Sequence, residues 1–583
     1  MALRVLLTAV VFVGASRAVA QHDWNRWPPR AYLLESLVDA VPKYLEEYHP
    51  ETGRFGTDPW ICSDQNHIFP LAAAWAIEDE HNPWYQDKKV LEAIAGGGNA
   101  LVDDMDEAGK WTFRKKDNST WGQIHMPWTY SRWIRAYQLV RDALPEADLG
   151  KWERGLRLGF GGIRKYADGH VHNIPTHHAM ALYIAGVCFD NADWRDAATA
   201  FMAKVVAQQD PAGFWSEHFG PVVGYNRVYV DALGVYYHFS HDPVALEALG
   251  RSAAFHATVL WPDGTAVSAI DERQIYHDSV DVGNVGFTWT SEGRGFLLKQ
   301  LDAYSDHGAR TVSADYAASM LLYTGTGEAV PPAADREQGS VVLGDDDAVI
   351  RRRKPWAWAF SGYACKPAQN RWIQDRQNLV DVYHDAIGLV IGGGNTKLQP
   401  YWSTFTVGDP ALLDHIAGDE SPDFTPDVDL IWTPDAATIT DADATSSLDL
   451  KYGESACQVT AAVQEDGALT LTYKAPAGQR VEAHVPLQRR VDRVETATGR
   501  TLELGEDALV VEAAEIGDWF VFGGLRVTMP QGGSLRWPAR QHNPYKKDGS
   551  SSLSCAKLVL VLPFDTVAEH AVTLALEPTP HVE

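Results

Sequence analysis

Two textures divide the 583 residues. Up to about residue 325, apolar positions recur three or four apart, as in YLLESLVDAVPKYLEEY (32–48), WTYSRWIRAYQLVRDAL (128–144) and HAMALYIAGV (178–187), which predicts helices with one buried face. Beyond that point the apolar runs are short: NLVDVYHD, ALTLTYKA, DWFVFGGLRVTM and KLVLVLPF are separated by Gly, Asp, Asn and Pro. That pattern predicts an antiparallel β-sandwich. Between the two lies GTGEAVPPAADREQGS, a Pro-, Gly- and acid-rich stretch that reads as a linker.

Within the helical half a turn signature recurs: PETGRF around Gly53, DEAGKW around Gly109, YADGH around Gly169, DPAGFW around Gly213 and WPDGT around Gly264. A spacing of roughly fifty residues leaves room for two helices and their connections, so the unit is a repeated helical hairpin. Five or more such hairpins close into an (α/α) toroid, although an open solenoid shows the same local pattern. The expected organisation is a signal peptide over 1–20, a toroid catalytic domain over 21–325, a linker over 326–340 and an antiparallel β-sandwich over 341–583. The signal is read from Arg4, the apolar run 5–13 and Ala18-Val19-Ala20, and it predicts a secreted or periplasmic protein. No later run reaches the ~18 apolar residues of a membrane span.

The net charge of −27 argues against a nucleic-acid partner and against a basic membrane-binding face. An anionic ligand would need basic groups gathered in one cleft. Cys62, Cys188, Cys365, Cys457 and Cys555 are scattered, with the spacing of neither a disulfide framework nor a metal site. No cofactor is implied.

Two stretches carry candidate chemistry. In HVHNIPTHHAMALYIAG (170–186), Asn173, His177 and His178 lie at a helix start, with Asn173 placed to cap it and Pro175 in the first turn. The histidines have no matching cysteine or carboxylate set, so no metal is assigned. In HFGPVVGYNRVY (218–229), Tyr225 and Tyr229 share a helix face, the arrangement of ordinary core packing. His218, Asn226 and Arg227 nonetheless surround Tyr225 in sequence, and Arg227 and His218 supply the positive charge that a phenol base requires.

These two motifs, in toroid-then-sandwich order, resemble the polysaccharide lyases of the heparinase II/III and alginate-lyase type. ALYIAG sets the register and places Asn173 on the second residue of that family's Asn-Asn-His run. His172 replaces the first, and Ile174 stands where the histidine belongs, so His177 or His178 would supply the imidazole from the next turn. GPVVGYNRVYVDAL places Tyr225 on the family's catalytic tyrosine, with Glu217 as the preceding acid. NRWIQDRQNLVDVYHDAIGLVIGGGN resembles the strand pair that meets the groove, but Gln374, Asp375, Arg376, Gln377 and Asn378 replace the histidines and aspartate found in several relatives, so that resemblance implies no zinc.

The resemblance implies β-elimination at a uronic acid of an anionic polysaccharide. Asn173, with a histidine or Arg227, would neutralise the carboxylate. Tyr225 would move the proton in a syn elimination, and His177 or His178 would be the base in an anti one. The substrate-binding expectation covers His218, Gln65, Asn66, His67, His125, Trp128, Trp215, Arg376 and Gln377, with Trp60, Trp121 and Gln123 as further groove candidates. Two other readings are a glycoside hydrolase using two of Glu217, Asp231, Asp271 and Glu272, and a non-catalytic glycan-binding protein.

Overall fold

The computed structural model describes residues 22–23, 30–167, 169–273, 280–306, 311–414, 423–442 and 444–577; the predicted signal lies outside them. Among the described residues of the first half there are eleven α-helices: α1 (Arg30–Glu46), α2 (Ile68–Ala76), α3 (Lys88–Asp104), α4 (Pro127–Val140), α5 (Glu146–Ile163), α6 (Asn173–Cys188), α7 (Ala192–Ala207), α8 (Val223–Ser240), α9 (Pro243–Thr258), α10 (Ser291–Asp306) and α11 (Ala314–Tyr323). The helices α2, α4, α6 and α8 pack side by side in that order. The short helix Val285–Trp289 follows α8 and touches α11, and α11 returns to α2, closing an inner ring. The helices α3, α5, α7, α9, α10 and α1 lie outside it, each against an inner partner. Among the described residues no helix is long and apolar enough to cross a membrane.

The recurring glycine turn has a mechanical basis. Gly109 and Gly213 have φ of 76° and 98°, which only glycine adopts without strain. A Cβ on Gly213 would also stand 2.2 Å from the Arg251 carbonyl oxygen. Asp106 and Asp210 close these turns by accepting from the Ala108 and Ala212 N–H groups, each at 2.8 Å. The aromatic residue after each turn is a strut. The Trp111 indole donates to the Leu101 carbonyl at 3.0 Å and the Trp215 indole to the Val205 carbonyl at 2.8 Å, each ten residues back on the outer helix.

The centre of the ring is polar. Arg132 on α4 pairs bidentately with Asp315 on α11 at 2.6 and 2.7 Å, and buried Arg135 lies over the Phe69 ring at 4.0 Å. The Arg132–Asp315 pair joins two inner helices that are not neighbours in the ring, so it crosses the ring's interior.

From Gln338 onward the chain forms two antiparallel sheets of eleven and nine strands among the described residues. Their facing sides bury Trp358, Phe405, Leu448, Leu471, Phe520 and Leu560. Alternation is clear in Thr445–Tyr452, where Ser446, Leu448, Leu450 and Tyr452 are buried and the residues between them are more exposed. The sandwich docks on the loop that follows α9. Trp261 stacks on Tyr383 with ring centroids 5.4 Å apart, and one Asp381 oxygen accepts from the Ser268 N–H, the Ser268 hydroxyl and the Ala269 N–H. The basic run at 351–354 stays within the sandwich: Arg351 pairs with Asp441 and Arg352 with Asp385.

Candidate active site

Helices α6 and α8 begin at the same rim. The His177 Nε2–H, on the fifth residue of α6, donates to the carbonyl of Val228, the sixth of α8, at 3.0 Å. Asn173 and Tyr225 each lie about one turn above this contact, on adjacent inner helices. The loops leading into α2 and α4 open on the same rim, because inner helices all run in one direction and outer helices return.

Asn173 is the first residue of α6, and His172 holds the cap position with extended backbone (φ −159°, ψ 178°) and no capping side-chain bond. The expected capping role of Asn173 is thereby corrected: its Oδ1 accepts instead from the Ile174 N–H at 2.7 Å. Exposed His172 interacts with the Asn173 side chain, which raises the imidazole pKa, while partial burial outweighs it and lowers the pKa overall.

Tyr225 is the third residue of α8, half-buried, with the Arg273 guanidinium 4.5 Å from its ring centroid. The surrounding frame comes from outside the motif. Val222 precedes α8 without a capping side chain, so Asp271 supplies one from another loop: its Oδ2 accepts from the Val223 N–H at 2.8 Å, and its Oδ1 from the Arg273 N–H at 2.8 Å. Glu272, fully buried, accepts from His218 Nδ1 at 2.6 Å and from the Phe219 N–H at 3.0 Å. Asn226 ties the preceding loop down, accepting from the Trp215 N–H at 2.6 Å and donating to the Trp215 and Val222 carbonyls.

The sandwich braces the same loops. Arg376, fully buried, donates to the Ile270 carbonyl at 2.7 Å and the Pro221 carbonyl at 3.1 Å. Asn395 donates to the Asp271 carbonyl at 2.8 Å and accepts the N–H groups of Gln377 and Asn378 at 3.0 Å each. Arg376 and Gln377 were expected on substrate; enclosed by these bonds, they are supports. Among the described residues no group of three His, Cys, Asp or Glu could hold a metal ion.

Other expected contacts are redistributed for the same reason. His177 and His178 are 3% and 7% exposed, and burial lowers their pKa values to about 3 and about 4, with Arg132 and Arg135 adding to the effect on His177. Both are neutral packing residues, and the His178 Nε2–H donates to the His125 carbonyl at 2.7 Å. The imidazole beside Asn173 is His172. Arg227 points away from Tyr225 and donates to the Asp281 carbonyl at 2.6 Å. The cation at Tyr225 is Arg273, which local sequence reasoning missed because its loop lies some fifty residues downstream. Its only signal was adjacency to Asp271 and Glu272.

Gln65 has no exposed surface: it accepts from the Phe55 N–H and the Trp60 indole and donates to the Gly53 and Gly97 carbonyls. His67 stacks on Tyr44 at 4.0 Å, half-buried Asn66 precedes it, and buried His125 meets the Ala108 carbonyl at 3.0 Å. Trp215 is buried and stacks on Tyr229, while half-buried Trp128 sets its edge against His177 at 4.5 Å. Gln123 bonds Thr112 within the hairpin of Trp111–Arg114 and Thr120–Ile124, whose Trp121 is 63% exposed. Trp60 does reach a cavity: with Arg54, Asp58, Cys62, Asp104 and Arg114 it lines a cleft of about 790 Å³ on the rim.

No protein-family model matches the chain, and no curated protein does. Solved structures do. Heparinase III superposes with a TM-score of 0.54 and 11% identity, over 94% of this chain and 86% of that one. A chondroitin AC lyase of Streptomyces coelicolor A3, solved with chondroitin sulphate, gives a TM-score of 0.53 and 12% identity, over 97% of this chain and 81% of that one. At such identities the likeness is one of fold: the helical toroid followed by an antiparallel sandwich is the fold that this chain shares with these two polysaccharide lyases.

Proposed function

We propose that the protein is a secreted or periplasmic polysaccharide lyase that cleaves a uronic-acid-containing chain by β-elimination, with the toroid as its catalytic domain. The observation that carries this reading is Tyr225, open on the rim with Arg273 on its ring and Asn173 at the start of the adjacent inner helix. The fold shared with heparinase III and the chondroitin AC lyase supports it.

Removal of the C5 proton of a uronate pushes charge onto a carboxylate that is already negative, so neutral or cationic donors must meet the growing enolate. Asn173 supplies an amide N–H₂ and His172 an imidazole at the neighbouring position. Tyr225, as the phenolate, takes the C5 proton and returns it to the departing O4, one group serving both transfers because in a syn elimination they lie on the same face of the ring. The Arg273 guanidinium stabilises the negative charge of that phenolate. Asp271 and Glu272 hold the backbone around Tyr225 rather than exchanging protons with substrate.

A glycoside hydrolase is disfavoured by the same geometry. Asp271 and Glu272 are buried and committed to backbone N–H groups. Glu217 is paired with Tyr229 and its pKa is raised by burial, and Asp231 lies inside α8 near Arg135 and Arg132. Neither arrangement leaves two carboxylates facing each other across an open groove. The test is a panel of uronate polymers assayed for the ultraviolet absorbance of a new C4=C5 double bond. Reducing ends released without that absorbance would replace this reading by hydrolysis.

A further inference from the structure

The rim cleft at Trp60 is separate from the Tyr225 site, and the elimination uses none of its side chains. The inner ring has six members, and α2 stands three steps from α8. With neighbouring axes about 8–10 Å apart, the two lie on opposite sides, roughly 16–20 Å from each other. The cleft sits between the loops entering α2 and α4, so it shares the rim with Tyr225 but lies across the ring from it.

At about 790 Å³ the cleft falls within the usual range of small-ligand sites. Trp60 is held rigidly in its wall: its indole N–H donates to Gln65 at 3.1 Å, and Arg54 lies over its ring at 4.5 Å. Gln65 is itself fixed by three backbone bonds, so the indole presents a preset surface. The charged lining cancels. Arg54 pairs with Asp104 at 2.9 Å, and exposed Arg114 and Asp58 add one charge of each sign. A sulfated or carboxylated ring would find no net positive charge there. An uncharged sugar ring would give hydroxyl protons to Asp58, accept from Arg114, and set its apolar side against the part of the half-buried indole that Arg54 leaves uncovered.

We infer that this cleft is a distal subsite for an uncharged sugar ring, a hexose or an N-acetylhexosamine, of the same polymer whose uronate reaches Tyr225. The position of the subsite relative to cleavage rests on the lyase reading; the binding itself does not. The polymer would then carry uncharged units several rings from the cleaved bond, and fragments too short to span the rim would gain nothing from the cleft.

The experiment uses the full chain carrying Tyr225→Phe, titrated calorimetrically with hexose, N-acetylhexosamine and uronate tetrasaccharides at low and high salt. One of the two neutral tetrasaccharides, the arm identifying which, is expected to bind independently of salt. Trp60→Ala should weaken it about tenfold or more, and Asp58→Ala, at an exposed position that leaves the fold alone, about threefold. The inference is overturned if neither neutral tetrasaccharide binds, if the uronate binds more tightly with an affinity that falls with salt, or if both substitutions leave the affinity unchanged. Binding that behaves as expected in a protein that releases no unsaturated product from any uronate polymer would support the subsite and sink the lyase reading alone.

Discussion

The loops before α6 and α8 meet at one rim but are built differently. His170 and His172 are exposed before α6, and the Asn173 side chain engages only its chain neighbours among the described residues, His172 and the Ile174 N–H. The loop before α8 is clamped from three sides: by Asp271 and Glu272 from the loop after α9, by Asn226 from within α8, and by Arg376 from the sandwich. In the proposed elimination Asn173 only has to hold one side of a carboxylate, which tolerates some play, whereas a phenol passing a proton between two substrate atoms tolerates little. The sandwich therefore serves the helical domain as a brace at the position where geometry is most demanding.

Four measurements test this difference between the two loops. The largest expected effect is from Tyr225→Phe, which removes the group that transfers the proton and should lower kcat by about 10³-fold or more with an unchanged Tm, since the side chain is half-exposed. Next is Arg376→Ala, which touches no substrate in this account. It frees the Pro221 and Ile270 carbonyls, and kcat should fall about 10²-fold while stability falls by about 2–3 kcal/mol in denaturant unfolding. An unchanged kcat there would show that the brace is irrelevant to the chemistry. Arg273→Ala removes the cation from the phenol ring and should cost about tenfold in kcat, with little change in KM.

The fourth measurement is stability against pH. Buried His177 and His178 have native pKa values of about 3 and about 4, below the unfolded value near 6.5. Below pH 6.5 the unfolded chain binds protons that the native chain refuses. Their contribution is therefore complete above that pH and is lost as pH falls toward 4, by up to about 1.4 kcal/mol per pH unit for each histidine. Thermal melts between pH 7 and pH 4.5 should show this decline, and His178→Gln should flatten it. An equally steep profile in the variant would place the titrating groups elsewhere.

Much of the architecture was legible because it repeats. Each Gly-centred turn marks one hairpin, and where a tryptophan follows it, as at Trp111 and Trp215, the indole makes the same bond to the outer helix. The site was legible where its residues are local. The positions of Tyr225 and Asn173 in the first turns of two helices follow from two short motifs, and the start of α6 differs by one residue from expectation because His172 and Asn173 are both plausible at a cap. His177 and His178 were expected at the substrate because periodicity does not say which positions at the start of an inner helix are enclosed once its neighbours pack.

The order of helices and strands, the hairpin period and the two helix starts that carry Asn173 and Tyr225 were thus determined by the sequence alone, since each depends on residues within a few turns of one another. The tertiary structure decided that Arg273 rather than Arg227 faces the phenol, that Asp271 caps α8 from another loop, that Arg376 holds that loop from a second domain, and that Trp60 rather than Trp215 lines an open cleft. Those relations join residues some fifty to one hundred and fifty positions apart. No local pattern encodes them, because they exist only once the ring has closed and the sandwich has packed against its rim.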